Sequence, residues 1–274
     1  MSTVHPYPLF VVGSPRSGTS VLVTALRRAG YRGFNEGNFV GLMNDINRVT
    51  DNYFATFWTS NPQVIMSKMD KNEVKTALFE PFKRFVEREN PVPPWLDKSG
   101  NPGVIKMIPA LLALWPSAHF IFAKRRGIEN IVSRIRKFPG YTFEYHCIDW
   151  AANMSAWRDV RNAVPDLKCL EVDQRDMIAN PDAVATQMAD FLRLDADQKA
   201  QLVKTFREER PQQTAKGTTE RLLSLAATGW SPHDVELFMQ HCKQPMDWYG
   251  YSLDETYKTQ VFAIQSAFTL PGGN

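Results

Sequence analysis

Apolar residues form a short run near the start of the chain, directly before a glycine. The run LFVV over residues 9–12 ends at Gly13, which is the pattern of a buried strand bounded by a turn residue. The next segment, TSVLVTALRRAG, places Leu22 and Leu26 at helical spacing on one face, and Gly30 marks its end. A strand, a glycine loop and a helix in this order predict the opening unit of a parallel α/β fold.

Two further segments repeat this alternation. The segment GVIKMIPALLALWPSAHFIFAKRRGIENIVSRIRKFPG predicts a strand over 104–106, a short helix, a strand over 119–123 and a helix over 128–137. A third strand is predicted over 167–173, followed by a helix that begins after Asn180 and Pro181. The repeated alternation predicts a central parallel sheet flanked by helices.

The remaining segments are predicted to be helical or irregular. Residues 31–100 are mostly polar and helical and end in a proline-rich linker, so we interpret them as a helical insertion. Residues 145–163 predict an amphipathic helix with Trp150, Met154 and Trp157 facing the core. Residues 211–274 form a C-terminal region with a polar loop, a helix and a tail. One domain over 1–274 is the simplest organisation.

Composition narrows the possible partners. The net charge is +3 and no long basic block is present, which does not favour a nucleic-acid partner. No segment has the run of about 18 apolar residues that a membrane span needs. Cys147, Cys169 and Cys242 lie far apart without a CxxC pair, as expected for buried thiols in a reducing compartment. These features predict a cytoplasmic protein and leave the oligomeric state open, a homo-oligomer included.

The glycine loop GSPRSGTS has the chemistry of a phosphate site. Gly13 and Gly18 allow close backbone approach, and the following helix contributes its positive N-terminal end. Hydroxyl donors are supplied by Ser17, Thr19 and Ser20, and the positive charge by Arg16. However, Thr19 stands where a nucleotide triphosphatase has its lysine, and the nearest candidate for a magnesium carboxylate is Asp173. The loop therefore favours a phosphate ester less charged than a nucleoside triphosphate and held without a metal.

These residues resemble a known family. GSPRSGTSVL is similar to the 5′-phosphosulfate loop of sulfotransferases that use 3′-phosphoadenosine 5′-phosphosulfate (PAPS). The family's second signature is an arginine at a strand end and a serine eight residues later, matched by Arg125 and Ser133. The segments LEVDQRDMIANPDAVATQMADFLRL and HCKQPMDWYGYSL look like later parts of the family pattern. The resemblance implies a P-loop-like three-layer fold and PAPS as the sulfonate donor.

The resemblance also implies roles at the donor site. Arg16 and the helix N-terminus would neutralise the phosphosulfate, and Arg125 with Ser133 would hold the 3′-phosphate. The family usually has Asp-Pro or Asn-Pro after the arginine, whereas this chain has Arg126 and Gly127, so the choice between Arg125 and Arg126 stays open. Lys216 and Gly217 match part of a late loop that closes the nucleotide site.

The general base and the catalytic cation are less directly marked. Met107 and Ile108 stand where one branch of the family has its histidine base, so we assign the base to Glu36, after branches that use a glutamate following the first helix. Lys106 is predicted as the cation beside the transferring sulfonate. His146 ranks second as the base.

Other interpretations of the sequence remain. His119 opens a predicted strand and is interpreted as structural. The expected acceptor is a hydroxyl of a small molecule or a glycan, with amines also open. The alternatives are a P-loop kinase-like phosphotransferase, which the missing lysine disfavours, and a non-catalytic nucleotide-binding relative.

Overall fold

A computed structural model describes residues 7–90, 92–208 and 222–257. Its centre is a five-stranded sheet in which every pair of neighbouring strands is parallel. The strands lie in the order β2-β3-β1-β4-β5. Their bounds are β1 (Leu9–Gly13), β2 (Arg32–Phe34), β3 (Trp95–Ser99), β4 (His119–Lys124) and β5 (Cys169–Asp173).

Eleven α-helices are found in the described ranges, and they alternate with the strands. Their bounds are α1 (Thr19–Arg28), α2 (Phe39–Phe54), α3 (Lys71–Glu89), α4 (Pro102–Lys106), α5 (Ile108–Leu114), α6 (Gly127–Lys137), α7 (Phe143–Ala163), α8 (Gln174–Ala179), α9 (Pro181–Leu192), α10 (Ala196–Glu208) and α11 (Pro232–Trp248). None of these helices is long and apolar enough to cross a bilayer.

The sheet separates two apolar cores, because successive strand residues point to opposite faces. Phe10 of β1 and Phe122 of β4 face a core built with α2 to α7 and α11, where Trp157 stacks on Phe122 with ring centroids 4.6 Å apart. Val11 and Ile121 face a second core built with α1, α8, α9 and α10. The predicted three-layer α/β fold is confirmed.

Several predicted elements match the structure closely. The strand before Gly13 and the helices α6 and α7 lie within a few residues of their predicted bounds. Trp150, Met154 and Trp157 are fully buried, as the helical spacing predicted.

The strand predicted over 104–106 is wrong, and this segment is helix α4. Asn101 caps the helix by accepting a hydrogen bond from the Val104 N–H at 2.8 Å, and Pro102 occupies the first turn. The strand of this unit is β3, which precedes α4 and lies within the proline-rich segment that the sequence analysis interpreted as a linker. Together with β2, it shows that residues 31–100 contribute two strands to the sheet as well as helices.

Candidate functional site

The glycine loop between β1 and α1 has two positions, Gly13 and Gly18, at which the backbone conformation favours glycine. A Cβ on Gly13 would lie 2.3 Å from the carbonyl oxygen of Ala123, and Gly13 has a φ of +146°. Gly18 occupies the N-cap position of α1 in a left-handed conformation, and as a glycine it has no side chain that could accept from the first-turn amides. Arg16 also has a positive φ of 71°, an uncommon conformation that concentrates at functional loops. The amides of this helix N-terminus suit an anion.

Three residues that the sequence marked far apart meet at this loop. The Nε of Arg16 donates to the Oγ of Ser133 at 3.0 Å, and the Nη1 of Arg125 donates to the carbonyl oxygen of Arg16 at 2.9 Å. Arg16 and Arg125 follow the carboxyl ends of β1 and β4, and Ser133 lies on α6 beside them. Open parallel sheets bind ligands at this edge. Two arginine side chains with a hydroxyl group provide the donors that a phosphate accepts from.

Arg126 has a different environment from its neighbour. It is fully buried, and its Nε donates to Glu129 at 2.7 Å while its Nη2 donates to the Leu223 carbonyl at 2.7 Å. Its Nη1 donates to the carbonyl of Ser252 at 3.3 Å, and the guanidinium lies over the Tyr257 ring. Its N–H groups therefore join the start of α6 to the C-terminal segment, which is residues 222–257. Arg125, in contrast, contacts the glycine loop.

Helix α6 holds the glycine loop through side chains that the sequence analysis missed. The Nδ2 of Asn130 donates to the Pro15 carbonyl and to the Oγ of Ser17, both at 3.0 Å. The Nη1 of Arg134 donates to the Oγ of Ser14 at 3.1 Å. Asn130 and Arg134 share a helix face with Ser133, so the i, i+3, i+4 spacing of these polar residues was the available signal.

This arrangement changes the interpretation of the loop hydroxyl groups. Ser17 is fully buried and its hydroxyl accepts from Asn130, so it stabilises the loop rather than facing a ligand. Thr19 retains 8% of its surface and Ser20 is partly exposed. Of the three predicted hydroxyl donors, Ser20 is thus the one that is partly exposed, while Ser17 and Thr19 are buried.

His146 lies behind Arg134, under the surface. Arg134 donates to the Asp149 carboxylate at 2.7 Å, and its Nε lies 3.4 Å from the Nδ1 of His146. Burial, followed by the positive charge of Arg134, lowers the pKa of His146, so its imidazole is neutral at pH 7. With 1% of its surface exposed, His146 is positioned to support Arg134 rather than to contact an acceptor.

Glu36 is paired with a lysine that the sequence analysis overlooked. It lies in the loop between β2 and α2, and its Oε1 is 2.8 Å from the Nζ of Lys98. The side chain of Glu36 is 73% exposed, whereas that of Lys98 is 12% exposed. Lys98 is the next-to-last residue of β3 and pairs with Val11 of β1, two residues before Gly13, so the ion pair lies towards the carboxyl edge that carries the glycine loop.

Lys106, the predicted catalytic cation, lies on a helix rather than at the end of a strand. It is exposed at the end of α4 and lines a cavity of about 300 Å³ between α2, α3 and α5, together with Asn47, Asn72 and Lys75. No residue of the glycine loop lines that cavity. The prediction for Lys106 depended on a strand over 104–106, and β3 carries Lys98 in its place.

The other candidate residues contribute less to this site. His119 begins β4 at the opposite edge of the sheet, where its ring stacks on Tyr7 at 3.7 Å, as expected for a structural histidine. Lys216 and Gly217 lie outside the described residues. In the described part of the chain, no group of three or more His, Cys, Asp or Glu side chains is arranged to hold a metal ion.

The fold and the site define a class: parallel α/β proteins with a glycine loop between the first strand and the first helix, at the carboxyl edge of the sheet. The profile of the sulfotransferase family matches residues 8–198. The chain therefore belongs to the sulfotransferase family. No curated protein matches it in a sequence search.

Solved structures share the fold at low sequence identity. Sulfotransferase STF9 from Mycobacterium avium is 14% identical, with a TM-score of 0.55, over 90% of this chain and 78% of that one. The sulfotransferase domain of the olefin synthase from Synechococcus PCC 7002 is 17% identical, with a TM-score of 0.53, over 91% and 97%. Mouse sulfotransferase SULT7A1, complexed with PAP, is 15% identical, with a TM-score of 0.53, over 88% and 84%.

Proposed function

We propose that this protein transfers a sulfonate group from PAPS to a hydroxyl of a small molecule or a glycan and releases adenosine 3′,5′-bisphosphate (PAP). The observation that carries the proposal is the contact of Arg16, Arg125 and Ser133 beside the glycine loop. PAPS has two anionic ends, and this edge of the sheet offers two groups of donors. The complex of mouse SULT7A1 with PAP supports the same choice of nucleotide.

The donor would bind with its two ends at neighbouring positions. The amides at the N-terminus of α1, with the hydroxyl groups of Thr19 and Ser20, would receive the phosphosulfate. Arg125 and Ser133 would bind the 3′-phosphate, and Arg16, which contacts both, would contribute charge between the two ends. Arg126 is assigned no part, because its donors serve Glu129 and the C-terminal segment.

The transfer would be an in-line displacement at sulfur. A bond forms between the acceptor oxygen and sulfur as the bond from sulfur to the bridging phosphate oxygen breaks, and the electron pair stays on the phosphate of PAP. Glu36 would accept the hydroxyl proton. Lys98 would hold the Glu36 carboxylate and place a positive charge near the transferring group, the role predicted for Lys106.

Exposure distinguishes the two candidate bases. An acceptor hydroxyl has to come within about 3 Å of the base. Glu36 has an accessible carboxylate, whereas His146 is buried and its Nδ1 faces Arg134. Glu36 is therefore the proposed base.

The kinase-like alternative needs a carboxylate for magnesium, and Asp173, the candidate that the sequence analysis named, is already engaged. Asp173 is buried at the end of β5, where it accepts hydrogen bonds from the hydroxyl groups of Tyr251 at 2.6 Å and Tyr257 at 2.7 Å. It also caps α8 through the Arg175 N–H. Asp173 thus has a structural role in joining the sheet to the C-terminal segment.

Mass spectrometry with a panel of hydroxyl and amine acceptors tests the proposed function. With PAPS we expect a product 80 Da heavier than one acceptor and an equal amount of PAP, with a chelator present or absent. Magnesium ATP should give no phosphorylated product. Transfer from ATP, or turnover abolished by the chelator, would support the kinase-like alternative. Tight binding of PAP without turnover on any acceptor would support the non-catalytic relative.

A further inference from the structure

The loop that carries Glu36 is held by two consecutive side chains of β3. The Nζ of Lys98 contacts the Glu36 carboxylate at 2.8 Å, and the Oδ1 of Asp97 accepts from the Gly37 N–H at 2.8 Å. Consecutive strand residues point to opposite faces of a sheet. The two side chains therefore hold the loop from the two faces of β3, at the edge where the glycine loop lies.

Asp97 is in an unusual environment for a carboxylate. It is 1% exposed, and its Oδ2 accepts from the hydroxyl of Ser99 at 3.1 Å. Burial raises the pKa of Asp97 to about 6, and the hydrogen bonds from Gly37 and Ser99 limit the rise. At neutral pH it is an ionised group that only accepts hydrogen bonds, and the Gly37 amide occupies one of its oxygens.

The contact with Gly37 is close and depends on the bare backbone of glycine. A Cβ on Gly37 would lie 2.3 Å from the Oδ1 of Asp97, so a side chain there would displace the carboxylate from the amide. The residue that follows, Asn38, has a left-handed backbone and caps α2. The chain is thus fixed on the C-terminal side of Glu36 by Asp97 and by the start of a helix.

We infer that Asp97 is a positioning residue for Glu36, which anchors the Gly37 amide so that the neighbouring carboxylate stays beside Lys98. The inference rests on the proposed function. Asp97 is buried and contacts no group that would react, so it acts through the loop. Because Glu36 is itself exposed, its placement depends on its backbone, and a displacement of about 1 Å can cost about 100-fold in rate.

Variants of the full chain test this role through its dependence on Glu36. Asp97→Ala should lower kcat by about 10- to 100-fold with PAP affinity unchanged within about twofold. Asp97→Asn retains a carbonyl oxygen that can accept from Gly37, so its kcat should stay within about threefold of the wild type. In a Glu36→Gln background, Asp97→Ala should change kcat by no more than about twofold, because the group it positions is gone.

Hydrogen exchange gives a readout that does not use activity. The Gly37 amide should exchange faster in Asp97→Ala than in the wild type, and at the wild-type rate in Asp97→Asn. The matched control is Asp182→Asn, which removes an exposed carboxylate paired with Arg207 at 2.6 Å and should alter neither the exchange nor the rate.

Two results would overturn the inference. One is an equal loss of kcat from Asp97→Ala with and without Glu36. The other is an Asp97→Asn variant as inactive as Glu36→Gln, which would make the Asp97 carboxylate itself the proton acceptor. If Asp97→Ala does not fold, the kcat of Asp97→Asn and the exchange rate of the Gly37 amide in the wild type test the inference instead. If the wild type sulfonates no acceptor, the proposed function fails, while slow Gly37 exchange still reports on the anchor.

Discussion

Two neighbouring residues with the same charge have different roles at the carboxyl edge of the sheet. Arg125 and Arg126 are adjacent in sequence, yet one contacts the glycine loop and the other is fully enclosed by Glu129, Leu223 and the C-terminal segment. The sequence marks both as basic residues at a strand end, and it left open which one holds the 3′-phosphate. Both side chains are buried, and their hydrogen-bond partners favour Arg125, which contacts the glycine loop.

Glu36 is the residue on which the proposed chemistry depends most. Glu36→Gln retains the shape of the side chain and cannot take up the proton, so we expect kcat to fall by about 10²–10⁴ with near-normal PAP affinity. His146→Gln should have a much smaller effect, because the imidazole is buried and its Nδ1 is directed at Arg134. Steady-state rates with PAPS and calorimetry with PAP measure the two effects. Wild-type turnover in Glu36→Gln beside an inactive His146→Gln would transfer the base assignment to the histidine.

At the scale of elements, α6 and β3 together build the site. One face of α6 holds the glycine loop through Asn130, Ser133 and Arg134. β3 holds the loop of Glu36 through Asp97 and Lys98. Each element is anchored in the apolar cores, α6 through Ile128 and Ile131 and β3 through Trp95 and Leu96.

The corrected position of the strand moves the proposed catalytic cation from Lys106 to Lys98, and substitution of each lysine tests this change. Lys98→Met should lower kcat by about 100-fold, because it removes the cation that contacts Glu36. Lys106→Met is the matched control, since the same change on α4 removes an exposed charge beside a cavity that excludes the glycine loop. We expect it to stay within about twofold of the wild type. Steady-state kinetics compare the pair, and the reverse order would restore Lys106 to the catalytic role.

The sequence predicted the elements whose apolar pattern is strong. β1, β4 and β5 are buried runs, and α6 and α7 have clear helical spacing, so all five were predicted near their observed bounds. β2 has three residues, and β3 ends in Asp97, Lys98 and Ser99, which are polar because they reach the site. A strand that carries functional residues lacks the apolar alternation by which strands are predicted. The error over 104–106 and the choice of Lys106 both followed from that.

At the scale of the whole molecule, the candidate site is built from two α/β units and supported by a third part of the chain. The first unit provides the glycine loop and the second provides Arg125 and α6, while residues 222–257 contact the start of α6 through Arg126 and the end of β5 through Asp173. The candidate donor residues could be predicted because a short motif marks each of them. Asp97 could not, because its role depends on a contact across 60 residues. For Asn130 and Arg134 the helical spacing with Ser133 was a signal, but it did not identify their partners in the glycine loop, which are more than 100 residues away in sequence.

The central claim is that this edge of the sheet binds a nucleotide with a 3′-phosphate through Arg125. Calorimetry with PAP and with adenosine 5′-monophosphate, which lacks that phosphate, tests it most directly. The wild type should bind PAP more tightly by about 2 kcal/mol or more, about 30-fold, and Arg125→Ala should bind both nucleotides alike. Arg126→Lys keeps a charge opposite Glu129 and serves as the control, which should retain the preference for PAP. A wild type that binds the two nucleotides equally, or an Arg125→Ala variant that still prefers PAP, would contradict this account.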